Sequence, residues 1–398
     1  MHAVTVLQKC LSSVFCHMHA ARRRVLFGAV AALLMGRRLM LMELARHFPG
    51  AERVRAPLKR LDRLLNNPHL ARDAEPLYGA MARWLIRGAR PIIVIDWSDL
   101  KTDGSLHLLR AGIPVGGRTL TVWEEIHPER KKNSPRVERA FLKRLKTLLP
   151  PGVIPVIVTD AGFRAPWFRA VTKLGWDYVG RVRHRIQVQL IQEGDWIANR
   201  ALHREARSTP KRFAAAHIVR NTPWQCDLVL VRKPRLGRKA LTRRGLPARS
   251  RKNLKAARNA REPWLLATSL TESSSQQIVA IYAKRMQIEE GFRDLKCDRY
   301  GCAFCLSLTR SAPRLSLLLL LHALATFVAW LSALAEDASS LIRYGGITSQ
   351  RGRRHYSRLR IGWERLRRGA GDGLGSRKLW RVFKQPPPEW LREMEIPG

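Results

Sequence analysis

The sequence predicts an α/β fold with helical ends, and three observations carry that expectation. Two short Val/Ile runs without charge, Pro91-Ile-Ile-Val-Ile and Val153-Ile-Pro-Val-Ile-Val, read as buried central strands. Apolar residues at helical spacing, Val137, Phe141, Leu145 and Leu148, follow the first run and precede the second. Both chain ends, before residue 90 and after residue 311, carry helical rather than alternating patterns.

In order, the first strand ends at Asp96, and residues 105–112 and 118–126 read as two more strands around the turn-rich Gly112-Ile-Pro-Val-Gly-Gly117. A helix is expected over 135–149, a strand ending at Asp160, a helix over 166–174 and a strand over 178–182. The order is therefore β-β-β-α-β-α-β. An insertion at 184–275 follows, with short β-like pieces at 213–219, 227–231 and 264–268 that suggest a small β-subdomain. Residues 39–48 and 58–65, around Pro49-Gly50 and with Lys59, Arg60 and Arg63, fit a helix-turn-helix and a plain helical bundle equally well. The chain thus divides into 1–90 (helical), 91–183 (first part of the core), 184–275 (insertion), 276–310 (core completed) and 311–398 (helical and basic).

Charge points to the partner. Lys+Arg 73 against Asp+Glu 31 gives a formal charge of +42, a field that attracts polyanions, with nucleic acid the leading candidate for a soluble chain. Residues 232–261 hold thirteen Lys or Arg and no acid, which fits an arm along DNA and also a solvated loop. The tail from Arg351 mixes Arg with Tyr356, Trp363 and Trp380. Six cysteines do not form a disulfide framework, and Cys297, Cys302 and Cys305 lack the second pair that a zinc site needs, so reduced cytoplasmic thiols are the default. Residues 315–334 are long enough to span a bilayer, but contain Ser316, His322, Thr326 and Ser332, and a buried core helix is expected instead of a membrane span. The apolar run at 25–35 is short and internal, which argues against a signal peptide.

The segment from Tyr282 to Lys296 is the most informative. At about 100° per residue, Tyr282, Arg285, Glu289 and Lys296 fall within about 60° of one another on a helix. Ile281, Ile288, Phe292 and Leu295 form the adjoining apolar stripe. A carboxylate among two cations and a phenol fits a phosphate-handling site, and also ordinary solvated ion pairs. Asp96 and Asp160, at the carboxyl ends of strands, stand where α/β folds place ligands, although Asp also caps loops and helices.

Tyr282, Arg285, Glu289 and Lys296 fit the pattern Tyr-x2-Arg-x3-Glu-x6-Lys at every spacing, and in this the chain resembles the bacterial insertion-sequence family four transposases. Leu61-Asp-Arg-Leu-Leu, Asp96-Trp-Ser-Asp, Asp160-Ala-Gly-Phe, Glu262-Pro-Trp-Leu-Leu-Ala-Thr and Lys284-Arg-Met-Gln-Ile-Glu-Glu extend the resemblance over about residues 50–310. It implies the ribonuclease-H-like catalytic core of DDE enzymes. There the first acid ends the first strand, the second ends the fourth, and the third lies on a later helix. Asp96, Asp160 and Glu289 would be the metal ligands, with Asp96 bridging two Mg²⁺ (Mn²⁺ as a substitute). Hard oxygen ligands suit that ion, and a metal pair activates a nucleophile and stabilises a leaving oxygen. Asp99, Glu290 and Asp294 lack the strand-end position or the family spacing.

The resemblance further implies that Tyr282, Arg285, Lys296 and Arg181 hold DNA phosphates and that Trp264 stacks on a flipped base. Arg181 also fits a surface arginine, and a Trp opening a strand also fits the core. Implied with these are cut-and-paste transposition of double-stranded DNA, terminal repeats bound by the N-terminal region, a homodimer pairing both ends, no membrane, and a cytoplasmic, nucleoid-associated setting. A nuclease of the same fold and a domesticated, non-catalytic DNA-binding protein are the alternatives. The latter should have lost an acid, and this chain has lost none.

Overall fold

The computed structural model describes residues 3–50, 52–101, 103–183, 186–190, 194–234, 246–251, 254, 262–334, 356–367 and 394–396. The chain forms two compact units, Met1–Pro155 with Lys284–Gly398, and Val156–Ala283. Most of the basic run at 232–261, and the tail positions Arg351 and Trp380, lie outside the described residues.

The first unit begins with helices α1 (Ala3–Cys10), α2 (Ser12–Phe15), α3 (Ala20–Gly36), α4 (Leu41–Arg46), α5 (Arg55–Leu65) and α6 (Pro68–Leu85). The start of α6 is set locally: Pro68 occupies its first turn, and the Asn67 side chain accepts from the backbone N–H groups of His69 and Leu70. Three antiparallel strands follow, β1 (Ile92–Asp99), β2 (Leu106–Pro114) and β3 (Thr119–Pro128), and then α7 (Pro135–Leu148). The β2–β3 turn closes through the Val115 N–H to the Arg118 carbonyl at 2.8 Å. Gly116 and Gly117 adopt φ of 82° and 97° in it, a conformation that side chains resist.

The second unit opens with β4 (Val156–Thr159), α8 (Ala165–Lys173) and β5 (Asp177–Arg181), a crossover with β4 and β5 parallel. Next come β6 (Gln187–Gln189), β7 (Ile197–Ala198), β8 (Lys211–Ile218), β9 (Trp224–Val231), β10 (Trp264–Thr268) and α9 (Ser275–Ala283). β10 lies antiparallel between β5 and β9, so strands far apart in sequence continue the ladder that β4 and β5 begin.

The chain then returns to the first unit with α10 (Met286–Lys296), α11 (Ala312–Leu334) and α12 (Arg358–Arg367). α11 is apolar and long enough to cross a membrane, and it is buried among the other helices of this unit and β3. Two expectations are corrected. β1 does not end at Asp96 but runs on to Asp99, because Asp96 to Asp99 keep pairing with Arg110 to His107; Asp96 is the last buried residue of the strand. The single helix expected from Tyr282 to Lys296 is two helices, α9 and α10, meeting at Lys284–Arg285. There Gln287 and Ile288 bond back only three residues, to the carbonyls of Lys284 (3.0 Å) and Arg285 (3.2 Å), which tightens the turn.

Close packing of α12 on α11 depends on Gly362, where any Cβ would overlap the Ala329 carbonyl. Gly362→Ala is therefore expected to cost about 1–3 kcal/mol through forced backbone shifts, read as a lower midpoint in chemical denaturation.

Candidate active site

In the first unit the site grows from one row of residues across the sheet. Asp96, Arg110 and Glu124 are direct partners on β1, β2 and β3, and residues opposite one another in antiparallel strands share a face. Arg110 donates through Nε to Glu124 Oε2 at 2.8 Å, and Tyr78 Oη donates to Glu124 Oε1 at 2.6 Å. Burial first, then the Glu124 charge and hydrogen bond, hold the Tyr78 phenol well above its ordinary pKa. The Arg110 guanidinium also lies over the Phe292 ring of α10, 5.3 Å from its centroid. On α11, burial and then Arg110 push the His322 imidazole down to about 3, so it is neutral at physiological pH.

With Arg110 committed to Glu124, Asp96 meets a different cation. Its Oδ1 accepts from the Trp97 N–H at 2.8 Å, and its Oδ2 lies 3.5 Å from Arg285 Nη1. The other end of that guanidinium, Nη2, lies 2.5 Å from Glu289 Oε1. Arg285 stands at the start of α10 and Glu289 in its first turn, so the helix itself presents both groups to β1. In the last turn of α10, Lys296 Nζ donates to Ser98 Oγ (2.8 Å) and to the Asp99 carbonyl (3.2 Å). Burial lowers the Lys296 pKa, and Asp99 and Asp96 counter it. Thus Asp96, Arg285, Glu289 and Lys296 assemble between β1 and α10.

The neighbouring acids are engaged elsewhere. Asp99 pairs with His107 (2.8 Å) and with Lys132 (2.8 Å), whose hydrogen bond leads the lowering of its pKa. Glu290 pairs with Arg293, and Asp294 with Arg118 at 2.5 Å. Two features escaped the sequence reading, the Tyr78–Glu124–Arg110 network and Gln287. Gln287 Oε1 accepts from the Val115 and Gly117 N–H groups (3.2 and 3.0 Å), tying α10 to the β2–β3 turn. The legible signal for the first was Arg110, a charge inside an otherwise apolar strand.

In the second unit, Asp160 follows β4 directly, and its Oδ1 accepts from the Gly162 N–H at 2.7 Å. The last β4–β5 partners are Thr159 and Gly180, which brings Asp160 and Arg181 to the same end of adjacent parallel strands. Arg181 Nη2 donates to the Pro263 carbonyl at 3.3 Å. Glu262 pairs with Arg183 at 2.5 Å; burial raises its pKa, but Arg183 outweighs that and leaves it low. Trp264 is half-buried. Its ring meets the buried Tyr282 edge-on at 4.8 Å, with Lys233 Nζ 5.5 Å from its centroid.

Among the described residues, no three His, Cys, Asp or Glu side chains gather closely enough to hold a metal ion. The donor chemistry of the first unit nevertheless fits a hard divalent cation, since two carboxylates, oxygen donors both, converge on one positive group. The three thiols near α10 are otherwise engaged. Cys305 donates to the Lys296 carbonyl at 3.0 Å, Cys297 accepts from the Tyr300 N–H, and burial pushes the Cys302 thiol up to about 12.

Glu124→Ala leaves Arg110 buried and unpaired, with an expected cost of about 3–5 kcal/mol in urea denaturation. Replacing both partners, as in Arg110→Met with Glu124→Leu, should recover most of that loss.

No curated protein matches the chain. The family described as Transposase DDE domain matches residues 87–326, more than half of the chain and inclusive of Asp96, Asp160, Glu289 and Lys296. A match of that extent places the family beyond the strand and helix pattern alone: the chain belongs to the DDE transposase family.

Proposed function

We propose that this transposase moves an insertion sequence by cut-and-paste transposition, and that it is a family-four member similar to the transposase of the tetracycline-resistance transposon numbered ten. The observation that carries this reading is the Arg285 guanidinium spanning Asp96 and Glu289, with Lys296 of α10 bonded to Ser98 of β1 beside them. Asp96, Asp160 and Glu289 would hold two Mg²⁺, or Mn²⁺ in their place. A bound metal pair supplies activation of the attacking oxygen and stabilisation of the leaving one.

The chain's own residues then have distinct tasks. Arg285 balances the two carboxylates in the free protein, and with DNA present its guanidinium and the Lys296 ammonium hold the phosphates beside the scissile bond. Arg181, at the same strand ends as Asp160, and Tyr282 add further phosphate contacts. Trp264 stacks on an unpaired base, a role that its half-buried ring with a cation over it supports. Residues 1–90 bind the terminal inverted repeats, the strands of 184–275 form an insertion in the ribonuclease-H-like core, and a homodimer pairs both ends in the cytoplasm. Nicking, hairpin formation, hairpin opening and joining to target are all phosphoryl transfers at this one site.

The test uses purified protein, Mg²⁺ and a duplex carrying the element's own terminal repeat. Wild type should give nicks, hairpins and joined products; chelation should abolish them, and added Mg²⁺ should restore them. Glu289→Ala should lower the rate by roughly 10³-fold or more while binding persists, matching several kcal/mol of lost stabilisation. Cleavage without joining would identify a nuclease, binding without cleavage a DNA-binding protein, and activity surviving in Glu289→Ala would remove that residue from the site. Trp264→Ala should weaken hairpin formation by about 10–100-fold, the equivalent of about 1–3 kcal/mol of stacking, and spare the first nick.

A further inference from the structure

Beyond the reacting centre, the first unit contains a cleft of about 200 Å³ with five arginines in its wall: Arg37, Arg38, Arg299, Arg360 and Arg367. We propose that this cleft binds a backbone phosphate of double-stranded DNA away from the scissile bond, an assignment that rests on the DNA-handling reading above.

The cleft is built rather than incidental. α3 ends at Gly36, and Arg37 takes a left-handed conformation (φ 54°) while its N–H returns to the Leu33 carbonyl at 2.8 Å. The turn sends its side chain inward, where Nη2 donates to the Tyr300 carbonyl at 2.8 Å and Nη1 lies 3.2 Å from Glu364. Arg360 on α12 reaches the same two groups, Glu364 at 2.7 Å and the Tyr300 carbonyl at 3.2 Å. Two guanidiniums thus share one carboxylate. Burial, then the proximity of Arg360, lowers the Arg37 pKa, and Cys302, Glu364 and Asp294 counter it.

The remaining three are available for a ligand. Among the described residues, Arg38, Arg299 and Arg367 form no ion pair; Arg299 lies over the Tyr300 ring at 5.1 Å. Asp298 lines the cleft, Glu364 pairs with two of its arginines, and Asp294, itself paired with Arg118, acts on Arg37, so five guanidiniums still outnumber the carboxylates around them. Such an excess favours a multiply hydrogen-bonding anion, and arginine forks match phosphate oxygens. The cleft also has room for a tetrahedral anion and several waters.

Position argues for DNA rather than a free anion. Residues 298–301 follow Lys296 by one residue, and the loop is fixed to the end of α10 by the Cys302 N–H to the Asp294 carbonyl (2.7 Å) and the Gly301 N–H to the Cys297 carbonyl (3.1 Å). A phosphate held here is therefore in fixed relation to Lys296 and Glu289, and would set where along the duplex the reacting bond falls. The formal charge of +42 makes a polyanion the natural partner.

The experiment measures duplex affinity of the full chain by fluorescence anisotropy from 50 to 200 mM salt, without divalent metal, so cleavage does not enter the readout. The triple variant Arg38→Ala, Arg299→Ala, Arg367→Ala is compared with a charge-matched control, Arg72→Ala, Arg136→Ala, Arg139→Ala. The site variant should bind roughly tenfold or more weakly, with the log K against log [salt] slope shallower by at least about 0.9, and the control should change less. An unchanged slope, or equal change in both variants, overturns the proposal. Inorganic phosphate that raises the thermal midpoint of wild type, but not of the site variant, with an unchanged DNA slope, would assign the cleft to free anions and overturn the DNA assignment. Should the triple variant melt early, the single Arg38→Ala, read for the same slope, decides the matter. Wild-type binding without cleavage would count against transposition alone and leave this comparison readable.

Discussion

The site depends on how one sheet face distributes positive charge among its carboxylates. Glu124 is buried on β3, and a buried carboxylate without a partner costs several kcal/mol. Arg110, opposite it on β2, supplies the partner, and Tyr78 fills the remaining oxygen. That pairing commits Arg110 and leaves the next acid of the row, Asp96, to be balanced from outside the sheet. Arg285 supplies that balance from α10, and in doing so meets Glu289 as well. The two acids of this unit are near one another because a helix arriving late in the chain must neutralise a strand formed early.

Seating α10 is then a matter of several modest contacts at both ends. Gln287 accepts from the β2–β3 turn, Arg118 pairs with Asp294, Phe292 lies beneath Arg110, and Lys296 bonds to Ser98 and Asp99. Each is worth little alone, but together they fix the helix in rotation and along its axis. The acids nearest to Asp96 and Glu289 are kept out of the site by the same means, since Asp99, Glu290 and Asp294 each have a basic partner of their own. The loop after α10 inherits this rigidity and forms one wall of the arginine cleft. A scaffold that orders the carboxylates thereby also orders cations several residues away.

Much of this was legible in the residues. The strands ending near Asp96 and at Asp160 were visible as uncharged Val/Ile runs, and α7 and α8 as apolar spacing. The burial of α11 followed from the polar Ser316, His322, Thr326 and Ser332 within its apolar run, and the grouping of Arg285, Glu289 and Lys296 from helical arithmetic. The break at Lys284–Arg285 was not visible, because no Gly or Pro marks it; the turn is tightened by bonds that residue type does not announce. Nor was the extension of β1 to Asp99 visible, since Trp97, Ser98 and Asp99 lose the apolar signal while still pairing with β2.

The sequence by itself therefore determined the α/β class, the order of the core strands and the strongly basic character of the chain, because periodicity and residue type are local properties. Only the tertiary structure decided which cation balances which acid. Arg110, Arg118 and Arg285 are the same letter, and their pairing is settled by strand register and helix seating. The same holds for the arginine cleft, whose residues come from the end of α3, the loop after α10 and α12. No spacing links positions 37, 299 and 360; they meet because the intervening helices pack as they do, with Gly362 letting α12 approach α11 closely.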